Sequence, residues 1–169
     1  VLVVIDDGHI EISVPDGTMK LGTGESVSMK AGRLLSENIY AEPPHADVSF
    51  KAQGDAAAAL ALLGHERIAL INTTELPFKA AEGRVEAQLS FAFPMQKNVT
   101  RQQIVTSGSA KLKDGRFGKL LGEYDVQGAS IAVDFGSGAI EAKGEAIVRG
   151  VLARLSWQLG DVDGALREA

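Results

Sequence analysis

The sequence contains no cysteine. That excludes a disulfide framework and any thiolate metal site, and it is compatible with both cytoplasm and periplasm. No apolar run approaches the roughly 18–20 residues that a membrane-spanning helix needs, and no signal-peptide pattern is visible. Basic residues are in deficit: 17 Lys and Arg stand against 22 Asp and Glu, a net charge of −5. A chain with that balance is a poor match for a phosphate backbone. Aromatic residues make up only 5% of the chain. Phe91, Phe93, Phe135 and Trp157 are not interleaved with Arg or Lys, which argues against stacking on single-stranded nucleic acid.

Catalytic signatures are missing as well. There is no Gly-x-Ser-x-Gly elbow, no Walker loop and no Gly-x-Gly-x-x-Gly fingerprint. The three histidines, His9, His45 and His65, have no metal-ligand spacing, and surface or helix-capping roles are expected for them. Gly136-Ser137-Gly138 has no helix after it and reads as a turn. Asp161 and Asp163 before Gly164 open like a calcium loop but lack the remaining ligands, so a solvated tail is expected there. The sequons at Asn72 and Asn98 are short enough to arise by chance. The expectation is a chain that is not an enzyme and holds no cofactor or metal.

What is present is 45% hydrophobic and 23% charged residues over 169 positions. That mix is typical of a soluble folded protein, and the length suits one sizeable domain or two small ones. The chain begins at Val1 rather than methionine, which reads as a processed product or an excised piece.

Alternation is the dominant signal. Ile140, Ala142, Ala146 and Val148 are even-numbered, whereas Val151, Ala153, Leu155 and Trp157 are odd. Strand side chains alternate faces, so this change of parity needs an explanation. A two-residue turn at Arg149-Gly150 removes it: Val148 meets Val151, Ala146 meets Ala153, and Ala142 meets Trp157. All of these then share one face. The same logic places a hairpin at Asp7-Gly8, with Ile5 opposite Ile10 and Val3 opposite Ile12. A second turn at Asp16-Gly17 would set Val14 beside Met19. A third, near Thr23-Gly24-Glu25, would set Met19 beside Met29, giving four strands by residue 29.

Further alternating strands follow at 46–52, 85–93, 104–112 and 129–135. Pro94 ends the second of these, because proline cannot serve a central ladder. Only "GDAAAALALLGH" reads as helix, with Asp55 as N-cap and Gly64 as terminator. The stretches "RIALINTTELPF" and "FGKLLGEY" are ambiguous. The predicted fold class is mainly β: a curved antiparallel meander, or half-pipe gutter, with one short helix near 55–64. It divides into residues 1–64 and 65–169, either as two meanders of the same gutter or as one continuous domain.

The long apolar face is the informative feature. Its candidate members are Leu89, Phe91, Phe93, Ile131, Val133, Phe135, Ile140, Val148, Val151, Leu155 and Trp157. Two sheets packed face to face would account for such a face as plain core. An open gutter holding acyl chains would also account for it, with small residues at Ala142, Gly144, Ala146 and Ala153 leaving room.

Several stretches carry a family resemblance: "NIYAEPPHADVSFKAQGD", "GDAAAALALL", "GRVEAQLSFAFP", "NVTRQQIV", "KLLGEYDVQGASIAVDF" and "GAIEAKGEAIVRGVLARLSW". Together they resemble the AsmA-like superfamily, in particular the central region of the YhdP-type envelope proteins, over most of the chain. The resemblance implies a non-enzymatic periplasmic segment of an inner-membrane-anchored protein in a Gram-negative bacterium. It implies phospholipid or other acyl chains as cargo, carried along a β-gutter towards the outer membrane. Neighbouring segments of the same long chain are the implied partners, and nucleic acid is not one. Raw sheet edges predict a homodimer of the isolated fragment. The competing expectation is a structural or interaction β-sandwich of the envelope with no ligand.

Overall fold

The computed structural model describes residues 1–20, 24, 26–63, 81–120, 124–136 and 139–159. The strands are β1 (Leu2–Asp6), β2 (His9–Lys20), β3 (Ser26–Ser36), β4 (His45–Asp55), β5 (Ala81–Pro94), β6 (Val105–Leu120), β7 (Tyr124–Gly136), β8 (Ala139–Val148) and β9 (Val151–Leu159). One α-helix, α1 (Ala56–Leu63), lies between β4 and β5. All nine strands form one sheet in sequential order, and each neighbouring pair is antiparallel. The sheet is open and is not closed into a barrel. It is the curved meander that the alternation predicts, and no second sheet packs on it among the described residues. Among the described residues, then, the face-to-face sandwich is not formed.

The two hairpins read from parity are present in the predicted register. Ile5 pairs with Ile10 and Val3 with Ile12. Val148 pairs with Val151, Ala146 with Ala153, and Ala142 with Trp157. Asp7 and Gly8 have φ of 37° and 83°, and Arg149 and Gly150 have 52° and 80°. Positive φ at both central residues is what a type I′ turn requires, and its twist matches that of the flanking strands. Arg149 adopts it despite its side chain.

The expected turn at Asp16-Gly17 does not form. β2 runs unbroken through both residues, and Asp16 pairs with Lys30 and Gly17 with Met29. The parity change from Val14 to Met19 has another origin. Pro15 has no N–H to give the ladder, and it falls at a gap in the pairing between Val14↔Gly32 and Asp16↔Lys30. Across that gap, Ala31 takes a φ of 50°. Pro15 and Asp16 are exposed on β2, as are Lys30 and Ala31 on β3. Both strands thus change parity together, and their apolar residues stay on one side. Consequently there are three strands before residue 37 rather than four before residue 30. The link near Gly24 does join two strands, but Met19 pairs with Val27 instead of Met29.

Bulges also explain the length of β6, which extends eight residues past the predicted end at Leu112 to Leu120. Its register against β7 shifts between Leu112 and Gly115, Gly115 and Phe117, and Phe117 and Leu120. A strict period of two cannot be followed through such a stretch. Each bulge also increases twist and bends the strand, which curves the sheet.

α1 begins one residue after Asp55, as expected from the cap and the Ala/Leu run; Gly64 lies outside the described residues. The helix packs on β5, β4 and β3. Ala56 joins a buried cluster with Ala81, Leu112, Phe117, Val126, Ala129 and Ala146, and Ala58 joins Val27, Ala52 and Leu89. Small side chains allow it to lie close against the sheet. The stretch "RIALINTTELPF", the residues 121–123 within "FGKLLGEY", His65, Asn72, Ser137, Gly138 and the Asp161–Gly164 segment lie outside the described residues.

Candidate functional site: one apolar face of an open sheet

Cross-strand pairs share a face, so the register defines the site row by row. One row runs Met29–Ala52–Ala87–Ala110–Val133–Ala142–Trp157, across seven strands. A second runs Phe50–Leu89–Gly108–Phe135–Ile140–Leu159. A third is Val85–Leu112–Ile131–Gly144–Leu155. A fourth is Val3–Ile12–Leu34–Val48–Phe91–Thr106. Phe117, Val126, Val148 and Val151 close the lower corner, and Phe93 pairs with Ala46 at the upper end of β5. The register therefore brings all eleven candidate residues onto one face. The Phe50 and Phe91 rings stack there, with centroids 6.0 Å apart and planes 21° off parallel.

Glycines shape this face through close backbone approach. A Cβ on Gly108 would collide with the Gln88 carbonyl and lie 2.8 Å from the Phe135 ring. A Cβ on Gly144 would collide with the Ser130 carbonyl and lie 2.8 Å from Ile131 Cα. Both positions are spaces that only glycine fits.

The face is not uniformly covered. Leu89 is 4% exposed and Val126 1%, whereas Trp157 is 41% and Val151 68% exposed. The central strands under α1 are core, and the β9 side is open to solvent. Beneath the helix, a hollow of about 50 Å³ is lined by Val27, Ala52, Ala59, Leu89 and Phe135 among others. Pockets for drug-sized molecules run to about 300–1,000 Å³, so this hollow is a packing gap. Among the described residues, room for a larger apolar ligand lies on the open part of the face. Phe117 and Val126 are buried members that sequence reasoning did not select, because the bulges of β6 and β7 hide their parity.

The opposite face is mostly polar. One row there reads Asp16–Lys30–Lys51–Gln88–Ser109–Asp134–Glu141–Gln158. Lys113 pairs with Glu86 at 3.5 Å and Arg154 with Glu145 at 3.6 Å, all of them well exposed. Such pairs contribute roughly 0–1 kcal/mol each and serve mainly to solvate the face. Arg33 is bound to Glu11 through two hydrogen bonds, and that contact holds the Glu11 carboxyl below its ordinary range. His9 lies on this face near the Asp7-Gly8 turn, and His45 opens β4 opposite Pro94.

Among the described residues, no group of three or more His, Asp or Glu side chains is placed to hold a metal ion. No described helix is long and apolar enough to cross a membrane. No protein family, no curated protein and no solved structure matches the chain.

Proposed function

We propose that this chain is a non-enzymatic segment of a Gram-negative envelope protein whose apolar face shields or conducts phospholipid acyl chains. The observation that carries the reading is the open sheet itself. One apolar row runs unbroken from β3 to β9 and ends on exposed Trp157, and Val151 of the same strand is exposed as well, with no second sheet over them among the described residues. Each methylene held out of water is worth about 0.8 kcal/mol, so the open, β9 side of the apolar face offers an acyl chain a favourable seat. The polar opposite face keeps such an element in aqueous surroundings. The resemblance of "GAIEAKGEAIVRGVLARLSW" and the preceding stretches to the AsmA-like superfamily supports the same reading. On it, the chain is a periplasmic part of an inner-membrane-anchored protein, continued along the gutter by neighbouring segments.

Native mass spectrometry after gentle purification tests the proposal, with co-purifying phospholipid as the expected result. Photo-crosslinking with a diazirine acyl phospholipid should label the unsubstituted chain, and Leu155→Glu should abolish labelling while the chain stays folded. A folded, lipid-free chain that cannot be labelled would favour a structural or interaction module instead.

A further inference from the structure

β1 is apolar on both faces along its length, whereas the other strands carry large exposed apolar residues on the polar face only singly, as at Val105, Ile147 and Leu152. Val3 and Ile5 lie on the apolar face, but Leu2 and Val4 lie on the polar one, opposite Ser13 and Glu11. All four are exposed, from 44% at Val4 to 68% at Ile5. Continuous apolar runs belong to strands enclosed by neighbours. Solitary edge strands usually carry lysine, proline or inward charge as protection. Leu2 to Ile5 carry none of these.

The free hydrogen-bonding groups of this edge can be assigned. The Asp7-Gly8 turn closes on the pair Asp6↔His9. In a two-residue hairpin that pair is hydrogen-bonded, and bonded and non-bonded pairs then alternate. Asp6, Val4 and Leu2 therefore turn their backbone groups towards β2. Ile5, Val3 and Val1 turn theirs outward.

We propose that the β1 edge pairs with the β1 edge of a second copy, antiparallel, about a two-fold axis at Val3. Val3 then exchanges both backbone hydrogen bonds with Val3 of the second copy, and Val1 and Ile5 exchange theirs crosswise. Leu2 meets Val4 of the other copy on the polar side, and Val1 meets Ile5 on the apolar side. Every cross-strand neighbour is apolar. Centring on Val4 instead would set Leu2 against Asp6. The β9 edge is a worse complement. By the same alternation from Val148↔Val151, its outward groups belong to Leu152, Arg154, Ser156 and Gln158, and the Arg154 side chain is 91% exposed. Charge thus selects β1 against itself. A two-fold axis normal to the sheet keeps both apolar faces on the same side, so the dimer extends the strip. The contact is smaller than a standard interface, so association should be micromolar or weaker. The inference rests on the β1 edge of this chain and not on the lipid reading; where a neighbouring segment of a longer protein continued the sheet past β1, that segment would take the same edge.

The absence of cysteine makes the test specific. Directly opposed residues of a hydrogen-bonded antiparallel pair have Cα atoms about 5.5 Å apart, within disulfide range. Under mild oxidation Val3→Cys should give a covalent dimer, and Val4→Cys, offset by two residues from its own copy, should not. Sedimentation should show a concentration-dependent dimer that Val3→Pro abolishes, with the β circular dichroism unchanged, because that N–H is not used by β2. Equal cross-linking of both cysteine variants would overturn the proposal. So would a dimer that survives Val3→Pro but is lost in Arg154→Pro, or a chain that stays monomeric at its highest soluble concentration.

Discussion

Arg33 holds Glu11 with two hydrogen bonds across the β2–β3 ladder, Nε donating to Oε1 at 2.7 Å and Nη2 to Oε2 at 3.1 Å. The planar guanidinium matches the carboxylate in this two-pronged geometry. The contact stabilises the charged carboxylate, so the folded pKa of Glu11 lies below its ordinary value. Whatever stability the pair contributes is therefore present above the unfolded pKa and lost as pH falls through the folded one. A carboxyl NMR titration should place the Glu11 midpoint below the usual glutamate range, and Arg33→Ala should return it there. An unchanged midpoint in Arg33→Ala would show that the pair does not set it.

The strand crossings at glycine make a second prediction. Gly144→Ala would drive a methyl into the backbone of Ser130 and Ile131, and neither is a flexible side chain that can move aside. A cost of roughly 1–3 kcal/mol is expected, as for overpacking elsewhere. Gly118 has nothing within 4 Å of its would-be Cβ, so Gly118→Ala should be neutral or slightly stabilising. Urea unfolding of the two variants compares them directly, and similar midpoints would contradict the close approach.

Burial along the apolar face predicts a graded response to truncation. Phe117 is 6% exposed, within the cluster formed by Val126, Ala129, Ala146 and α1. Phe117→Ala should cost about 3–5 kcal/mol. Trp157 is 41% exposed, and Trp157→Ala should cost clearly less despite removing a larger side chain. Thermal unfolding of both variants decides this, and a larger loss at Trp157 would mean that the β9 side is core.

Trp157 is also the only tryptophan in the chain, which makes it a reporter for the lipid reading. Dispersed phospholipid should shift its emission to the blue, and brominated acyl chains should quench it. Leu155→Glu, on the same face of β9, should suppress both effects. No spectral response at saturating lipid would count heavily against acyl chains on this strip.

Much of this architecture could be read in advance because strand side chains repeat with a period of two. Ala142 and Trp157 are fifteen residues apart, yet their opposition followed from a parity change and one turn glycine, and the ladder has them paired. The same signal misled at Val14 and Met19. A change of parity has two physical solutions, a turn or an irregularity, and sequence alone does not choose between them. Asp16-Gly17 resembles a hairpin turn, but Pro15 opposite Ala31 lets two long strands shift together. Phe117 and Val126 were hidden for a related reason: three register shifts lie between Leu112 and Leu120.

The sequence by itself determined which side is apolar along the regularly alternating strands, where the Asp7-Gly8 and Arg149-Gly150 turns fall and where the helix starts, because these follow from local alternation and backbone preference. Only the tertiary structure decided that the sheet stays open, that α1 covers its centre while Trp157 and Val151 remain exposed, and that Leu2 to Ile5 of β1 are exposed on both faces. Those outcomes depend on register, bulges and packing between strands far apart in the chain, and no local window contains them.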